Sequence, residues 1–244
     1  MDAPKIRMFV DQPLGADQSV RFDRAQAHYL FGVMRLGLGD HIALFNGRAG
    51  EWAAEITEAA KRTGEAQCLA QTKPLHMPPD LWLLFAPIKK TRTDFIVEKA
   101  AELGAARILP VQTDHTNAER VKAERLRAHA IEAAEQCGGT YVPEVAELNR
   151  LSAALEVWPT ERHLLFCDET RVGAGTDFAA LQSGPGPWAI LIGPEGGFSP
   201  AERDRLLAMP QSVPISLGPR ILRADTAAVA AMSLWQAQFG DWRE

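Results

Sequence analysis

Apolar and polar positions along this chain change rhythm near residue 73. Before that point they come in short strand-like bursts separated by turns. Arg7-Met8-Phe9-Val10 is one burst. His41-Ile42-Ala43-Leu44-Phe45 is another, followed by Asn46-Gly47, a dipeptide that supplies the positive φ angles of a tight hairpin. Trp52 to Ile56 then reads as the return strand, and one helix near Arg24 to Met34 interrupts the series. This predicts a small β-barrel-like module over residues 1–72. Residues 73–80 contain Pro74, Pro78 and Pro79 and no periodicity. Proline removes a backbone donor and blocks helix and ladder hydrogen bonds, so this stretch is expected to be a linker.

From residue 81 onward, continuous apolar runs alternate with helical patterns. Leu81 to Ala86, Arg107 to Val111, His163 to Cys167, Trp188 to Ile192 and Val213 to Leu217 read as strands. Runs without a polar alternate suit strands covered on both faces. Helices are predicted over Thr91 to Gly104, Asn117 to Gly138, Pro200 to Met209 and Arg223 to Phe239. Alternating strands and helices imply an α/β domain with a mostly parallel sheet over residues 81–244.

Composition narrows the function classes. The net charge of −5 gives no global basic field for nucleic acid. Residues 1–73 nevertheless carry 9 Lys and Arg against 9 Asp and Glu, so the whole acidic excess lies downstream. A local basic face is compatible with the N-terminal module. Cys68, Cys137 and Cys167 are an odd number at wide spacing with no C-x-x-C, and no two histidines have metal-ligand spacing. Neither a disulfide framework nor a metal site is expected, and a reducing cytoplasmic setting is. The N-terminus has no apolar signal-peptide core, and the longest apolar-rich run, Thr226 to Gly240, is too short and polar to span a bilayer.

The candidate chemistry sits in two glycine-bearing loops. Gly193-Pro194-Glu195-Gly196-Gly197-Phe198-Ser199 follows one predicted strand, and Gly218-Pro219-Arg220-Ile221-Leu222 follows another. Both occupy the carboxyl ends of strands, where α/β folds place ligands, so one pocket built from both is expected. Glycines let backbone approach a ligand closely. Ser199-Pro200 with Glu202 is a good helix start. The loop lacks the Lys-Ser/Thr of a P-loop, and Glu195 repels phosphate, so a neutral or cationic ligand fits better. Pro219, Ile221 and Leu222 can form a slot for a flat heterocycle such as adenine. Taken singly, each residue has an ordinary explanation. The glycines relieve a turn, Asp225 or Thr226 caps a helix, and Arg223 pairs with a surface carboxylate.

Taken together, the two segments closely resemble the signature of the bacterial 16S ribosomal RNA (uracil-N3)-methyltransferase family of the SPOUT superfamily. Lys99-Ala100-Ala101-Glu102-Leu103-Gly104, Ile131 to Cys137, Arg7-Met8-Phe9 and the His28 to Asp40 stretch fit the same family, so the resemblance spans nearly the whole chain. Asp225 stands where Glu is common, and Gly139 and His115 stand where Arg is usual.

The resemblance implies a PUA-like RNA-binding domain followed by a trefoil-knotted methyltransferase domain. It implies S-adenosylmethionine as donor, held by Leu191, Ile192, Gly193, Pro194, Gly196, Gly197, Leu217, Gly218, Ile221, Leu222 and Thr226. The acceptor would be N3 of a uridine in 16S ribosomal RNA, free or in the small subunit. Arg223 and Asp225 are the candidates for orienting the uracil or handling its proton. Arg7, Arg21, Arg24 and Arg35 are the candidate RNA contacts. A homodimer is expected, with Ala228, Met232, Trp235 and Phe239 as a helical stripe that either meets a second copy or packs on the protein's own sheet. An RNA-binding protein without activity and a nucleotide hydrolase are the competing classes.

Overall fold

The structure, a computed structural model, describes residues 4, 6–117, 121–173 and 186–243. The chain divides into two compact units. The first holds residues up to Met77 together with Ala134–Val142, and the second holds Pro78–Ala133 and Pro143 onward. The division falls inside the expected 73–80 linker. Residues 134–142 depart from the expected 81–244 domain, because they belong with the first unit.

In the first unit, five strands form a mixed sheet in the order β1-β3-β4-β5-β2, with β1 Arg7–Phe9, β2 Ser19–Phe22, β3 His41–Phe45, β4 Glu51–Ala59 and β5 Gly64–Lys73. The β3–β4 hairpin is antiparallel, and its turn is closed by Asn46 Oδ1, which accepts from Arg48 N at 3.0 Å and Ala49 N at 2.8 Å. Val20, Leu30, Ile42, Leu44, Ile56 and Ala66 fill the core. The single helix expected over Arg24 to Met34 is two pieces. A short α1, Arg24–Ala27, starts from a capping box of Asp23 and Gln26 and widens into a π-helical turn, His28–Val33. In that turn Met34 N reaches back five residues to Tyr29 O at 2.9 Å.

Arg7 explains why residues 134–142 belong here. Its Nε meets Glu51 Oε2 at 2.6 Å. Its Nη1 donates to the carbonyls of Ala134 (2.6 Å) and Glu135 (2.8 Å), and its Nη2 to that of Gly139 (2.7 Å). A helix end leaves carbonyls unpaired, and a guanidinium fork is well shaped to satisfy several at once. The ring of Phe45 lies under the guanidinium at 4.6 Å.

The second unit is built on a seven-stranded sheet, ordered β12-β10-β11-β6-β7-β8 with β9 also on β7. Its strands are β6 Leu81–Phe85, β7 Arg107–Gln112, β8 Glu144–Val145, β9 Asn149–Arg150, β10 His163–Cys167, β11 Trp188–Ile192 and β12 Ser212–Ile215. Every pairing among them is parallel. Helices α2 Lys90–Glu102, α3 Ala123–Cys137, α4 Leu151–Glu156, α5 Pro200–Ala208 and α6 Ala224–Phe239 complete the set among the described residues. The expected helix from Asn117 begins only at Ala123, with 118–120 outside the described residues. The expected last strand ends at Ile215, not Leu217, because Ser216 Oγ turns back to accept from Gly218 N at 3.3 Å. The knot implied by the resemblance involves the path through residues 174–185, which lie outside the described residues.

Helix α6 packs on α2 and β11. Its stripe serves the protein's own core: Ala228, Met232 and Trp235 are buried, and Phe239 stacks on Trp188 of β11 with centroids 5.4 Å apart. This corrects its use as evidence for a dimer. Fully buried Gln236 donates from Nε2 to Leu103 O at 2.6 Å, closing the end of α2.

The Arg7 network yields a stability prediction. Burial pushes the Glu51 carboxyl up, but hydrogen bonds from Arg7 and Thr72 and the charges of Arg7 and Lys73 outweigh it, leaving its pKa below the ordinary 4.5. A depressed folded pKa means the stabilisation is present above the ordinary value and lost as pH falls through the folded one. Arg7→Ala leaves a buried carboxylate unpaired and should cost about 3 kcal/mol at neutral pH. Denaturant unfolding of both proteins should show this gap, and the gap should shrink well below pH 4.5. An unchanged midpoint at neutral pH would mean the network contributes nothing.

Candidate functional site

Three neighbouring parallel strands, β12, β10 and β11, end on the same edge of the second unit's sheet. The segments that leave them enclose one cavity with two joined lobes, of about 60 and 230 Å³. Both lobes are lined by Cys167, Glu169, Ile221, Leu222 and Ala227. The smaller lobe adds Ser216, Leu217 and Gly218, and the larger adds Ile192, Gly193, Pro194 and Gly197. The two glycine loops therefore meet in one pocket.

The loop geometry requires glycine at two points. Gly197, at φ +70°, closes a turn in which its N–H donates to Pro194 O at 3.0 Å. A Cβ there would lie 2.2 Å from Glu169 Oε1, which itself accepts from Phe198 N. Gly218 has φ +109° and nothing within 4 Å of where a Cβ would stand. Its bare α-carbon thus leaves open space beside the pocket.

Hydrogen bonds fix the loops to the scaffold. Ser199 caps α5 in a capping box with Glu202, as the sequence predicts, and its Oγ also donates to Asp114 Oδ2 at 2.6 Å. Asp168, buried at the end of β10, accepts from Arg203 of α5 at 3.0 Å and from Thr170 Oγ1 at 2.8 Å. Burial raises the Asp168 pKa, but the bonds from Arg203 and Thr170 and the charge of Arg203 bring it below its ordinary value, so it stays ionised. Desolvation pushes the Cys167 thiol far up, which keeps it neutral and no nucleophile.

Of the predicted donor-site residues, Ile192, Gly193, Pro194, Gly197, Leu217, Gly218, Ile221 and Leu222 line the cavity. Leu191 is fully buried in β11 beneath it, and Gly196 and Thr226 lie outside its lining. Arg223 lines the larger lobe, precedes α6 and makes no side-chain bond among the described residues. Asp225 accepts from Thr226 N at 2.9 Å and faces Arg92 Nε at 3.7 Å. Arg92 was not singled out by the sequence. Its Nη1 also donates to Glu195 at 2.8 Å, so one guanidinium links both loops. Cys167, Asp168 and Glu169 are the other missed wall, although their place after an apolar run gave the same signal as the two glycine loops.

The RNA candidates separate. Arg7 is consumed by its internal partners. Arg21 is largely exposed and pairs with Glu65 at 3.3 Å. Arg24 and Arg35 are exposed with no side-chain partner among the described residues, and Arg35 adopts φ +59° just after the π-helical turn.

Residues 76–236 match the family model of an RNA methyltransferase domain, and residues 22–67 that of an RNA methyltransferase PUA domain. Ribosomal RNA small subunit methyltransferase E of Bacillus subtilis is 30% identical over 85% of this chain and 86% of its own. That of Synechocystis is 31% identical over 89% of this chain and 72% of its own. This chain belongs to the ribosomal RNA small subunit methyltransferase E family. The solved structure of the family's Neisseria gonorrhoeae enzyme, bound to S-adenosyl methionine, superposes with a TM-score of 0.88 at 28% identity, over 97% of this chain and 99% of that one. A Legionella pneumophila methyltransferase in complex with the same cofactor superposes equally well, at 28% identity over 97% and 98%. The mixed-sheet first unit is thus a PUA domain and the parallel-sheet second unit a methyltransferase domain of SPOUT type.

Gly218→Val should place a branched side chain in the open space beside the pocket and force an unfavourable φ. With S-adenosylmethionine as the probe, affinity should fall more than about tenfold, or 1.4 kcal/mol, in a titration of folded variant. Wild-type affinity in a folded variant would remove this cavity from the binding site.

Proposed function

We propose that this protein methylates N3 of a uridine in 16S ribosomal RNA, with S-adenosylmethionine as the donor, in the cytoplasm. The observation that carries the reading is the convergence of both glycine loops on one cavity in a chain of this family. The cavity's chemistry suits the donor. Leu217, Ile221, Leu222 and Ala227 offer an apolar slot for adenine, and Glu169 and Glu195 offer carboxylates to a ligand bearing ammonium and sulfonium charges. When bound, the donor supplies an electrophilic methyl group.

The protein's own part is positioning and exclusion. Holding the acceptor nitrogen in line with the methyl makes the encounter effectively intramolecular. Arg92, Glu195 and Asp225 tie α2 to both loops, so the wall between donor and acceptor is set before substrate arrives. Arg223 and Asp225 remain the candidates for orienting the uracil. N3 forms the central hydrogen bond of a base pair, so the target must be unpaired or extruded.

RNA contact is assigned to Arg21, Arg24 and Arg35, without Arg7. The π-helical turn between Arg24 and Arg35 also exposes Tyr29, Val33 and Met34, and an exposed ring offers a base a stacking face. A homodimer through the methyltransferase domain is part of the proposal. Its support is no longer the α6 stripe but the exposed apolar side chains Phe95 on α2 and Leu234 on α6, two helices that pack together.

The test is calorimetric donor titration followed by transfer of labelled methyl to purified small subunits and to free 16S RNA, with the product mapped by mass spectrometry. One N3-methyluridine is expected. Donor binding without transfer to either RNA would leave an RNA-binding protein without this activity. The Arg24→Ala and Arg35→Ala variants should each weaken RNA binding and flatten its salt dependence, by a slope of about one per lost phosphate contact. Light scattering at micromolar concentration should give twice the chain mass, and an active monomer would refute the dimer.

A further inference from the structure

We infer that His115 is the base that removes the N3 proton of the acceptor uracil, in a second cavity across the Pro194–Glu195 wall from the donor pocket. This rests on the methyltransferase reading above. The second cavity has a volume of about 190 Å³ and is lined by Ile88, Lys89, His115, Asn117, Pro194 and Glu195. Pro194 and Glu195 also line the larger donor lobe, so the two spaces share that wall.

The tautomer of His115 is legible from its neighbours. Its Nδ1 lies 3.2 Å from Gly196 O and 3.1 Å from Gly197 O. Carbonyl oxygens only accept, so Nδ1 must carry the hydrogen. In the neutral ring, Nε2 is then a bare lone pair, with no partner among the described residues. The glycine loop that builds the donor pocket thus also fixes a proton acceptor beside it. Lys89 and Asn117 bring an ammonium and a carboxamide to the same cavity, again without side-chain partners among the described residues. Uracil presents two carbonyl oxygens and one N3–H. An ammonium and an amide match the oxygens, and bare Nε2 matches the N–H.

The step balances. The N3–H bond breaks, its proton passes to Nε2, and the freed nitrogen pair forms the bond to the methyl carbon. The carbon–sulfur pair stays with the leaving sulfur, and the imidazolium returns its proton to water. As negative charge spreads onto the uracil oxygens, the Lys89 ammonium faces it. Cytosine is rejected by the same geometry, because its N3 has a lone pair and no hydrogen, and would leave two acceptors facing each other.

The test uses full-length protein and His115→Asn. The asparagine amide can keep the bond to the Gly196 and Gly197 carbonyls while lacking any group at the Nε2 position. Donor affinity and RNA binding should stay within about twofold, while the methyl-transfer rate falls by about 10²-fold, the lower range for loss of a general base. The wild-type rate should rise with pH through one imidazole ionisation, and the variant should lose that limb. Nitrogen-15 NMR of the free protein should show neutral His115 protonated on Nδ1. A variant with the wild-type rate and pH profile, or a ring protonated on Nε2, overturns the assignment while leaving the methyltransferase reading intact. Wild-type protein that neither binds donor nor transfers methyl overturns both.

Discussion

Asp168 is a carboxylate held almost out of water at the end of β10, and the functional end of the molecule is organised around satisfying it. A buried charge is tolerated only when it is paired and hydrogen-bonded. Here Arg203 and Thr170 supply the partners. Arg203 lies on α5, the helix that follows the first glycine loop, so the pairing fastens that loop to the neighbouring strand. The residue after Asp168, Glu169, accepts from Phe198 N inside the loop itself. Ser199 and Asp114 add a bond from the other side. The backbone at Gly193 to Gly197 is thereby positioned by side chains from two strands and one helix, and a pocket lined by backbone keeps its shape without a ligand.

That arrangement lets one loop serve two spaces. Its inner side, with Ile192, Gly193 and Gly197, lines the donor cavity, while Pro194 and Glu195 also line the smaller cavity that holds Lys89 and His115. Arg92 ties Glu195 and Asp225 at the junction. A methyl transfer needs a donor site, an acceptor site and a fixed wall between them, and a single glycine-bearing turn accounts for all three. The larger cavity of about 470 Å³ between α4 and α5, rimmed by Arg150 and Arg205, takes neither glycine loop.

How much of this was legible depends on the range of the interactions. Strands β10 and β11 match their predicted ends, His163 to Cys167 and Trp188 to Ile192, because burial on both faces writes an uninterrupted apolar run. The α5 start was legible because Ser199, Pro200 and Glu202 act within one turn. The pairing of the two glycine loops followed from their common place after strands. What spacing does not encode is which strands are neighbours, so Cys167 to Glu169 went unrecognised as the third wall. Arg92 was missed for the same reason, since its partner Glu195 is 103 residues away. Arg7 and the α6 stripe were read outward, toward RNA and toward a second copy, when their partners lie within the chain. An arginine near the N-terminus carries no sequence mark of the helix-end carbonyls that hold it.

The central claim is that both glycine loops form one donor site. A crystal structure with bound S-adenosylhomocysteine tests it most directly. The account predicts the adenine between Leu217 and Leu222, with the sulfur directed toward the wall formed by Pro194 and Glu195. Ligand density confined to the cavity near Arg150 and Arg205, with the Gly193 to Gly197 and Gly218 segments uncontacted, would contradict it.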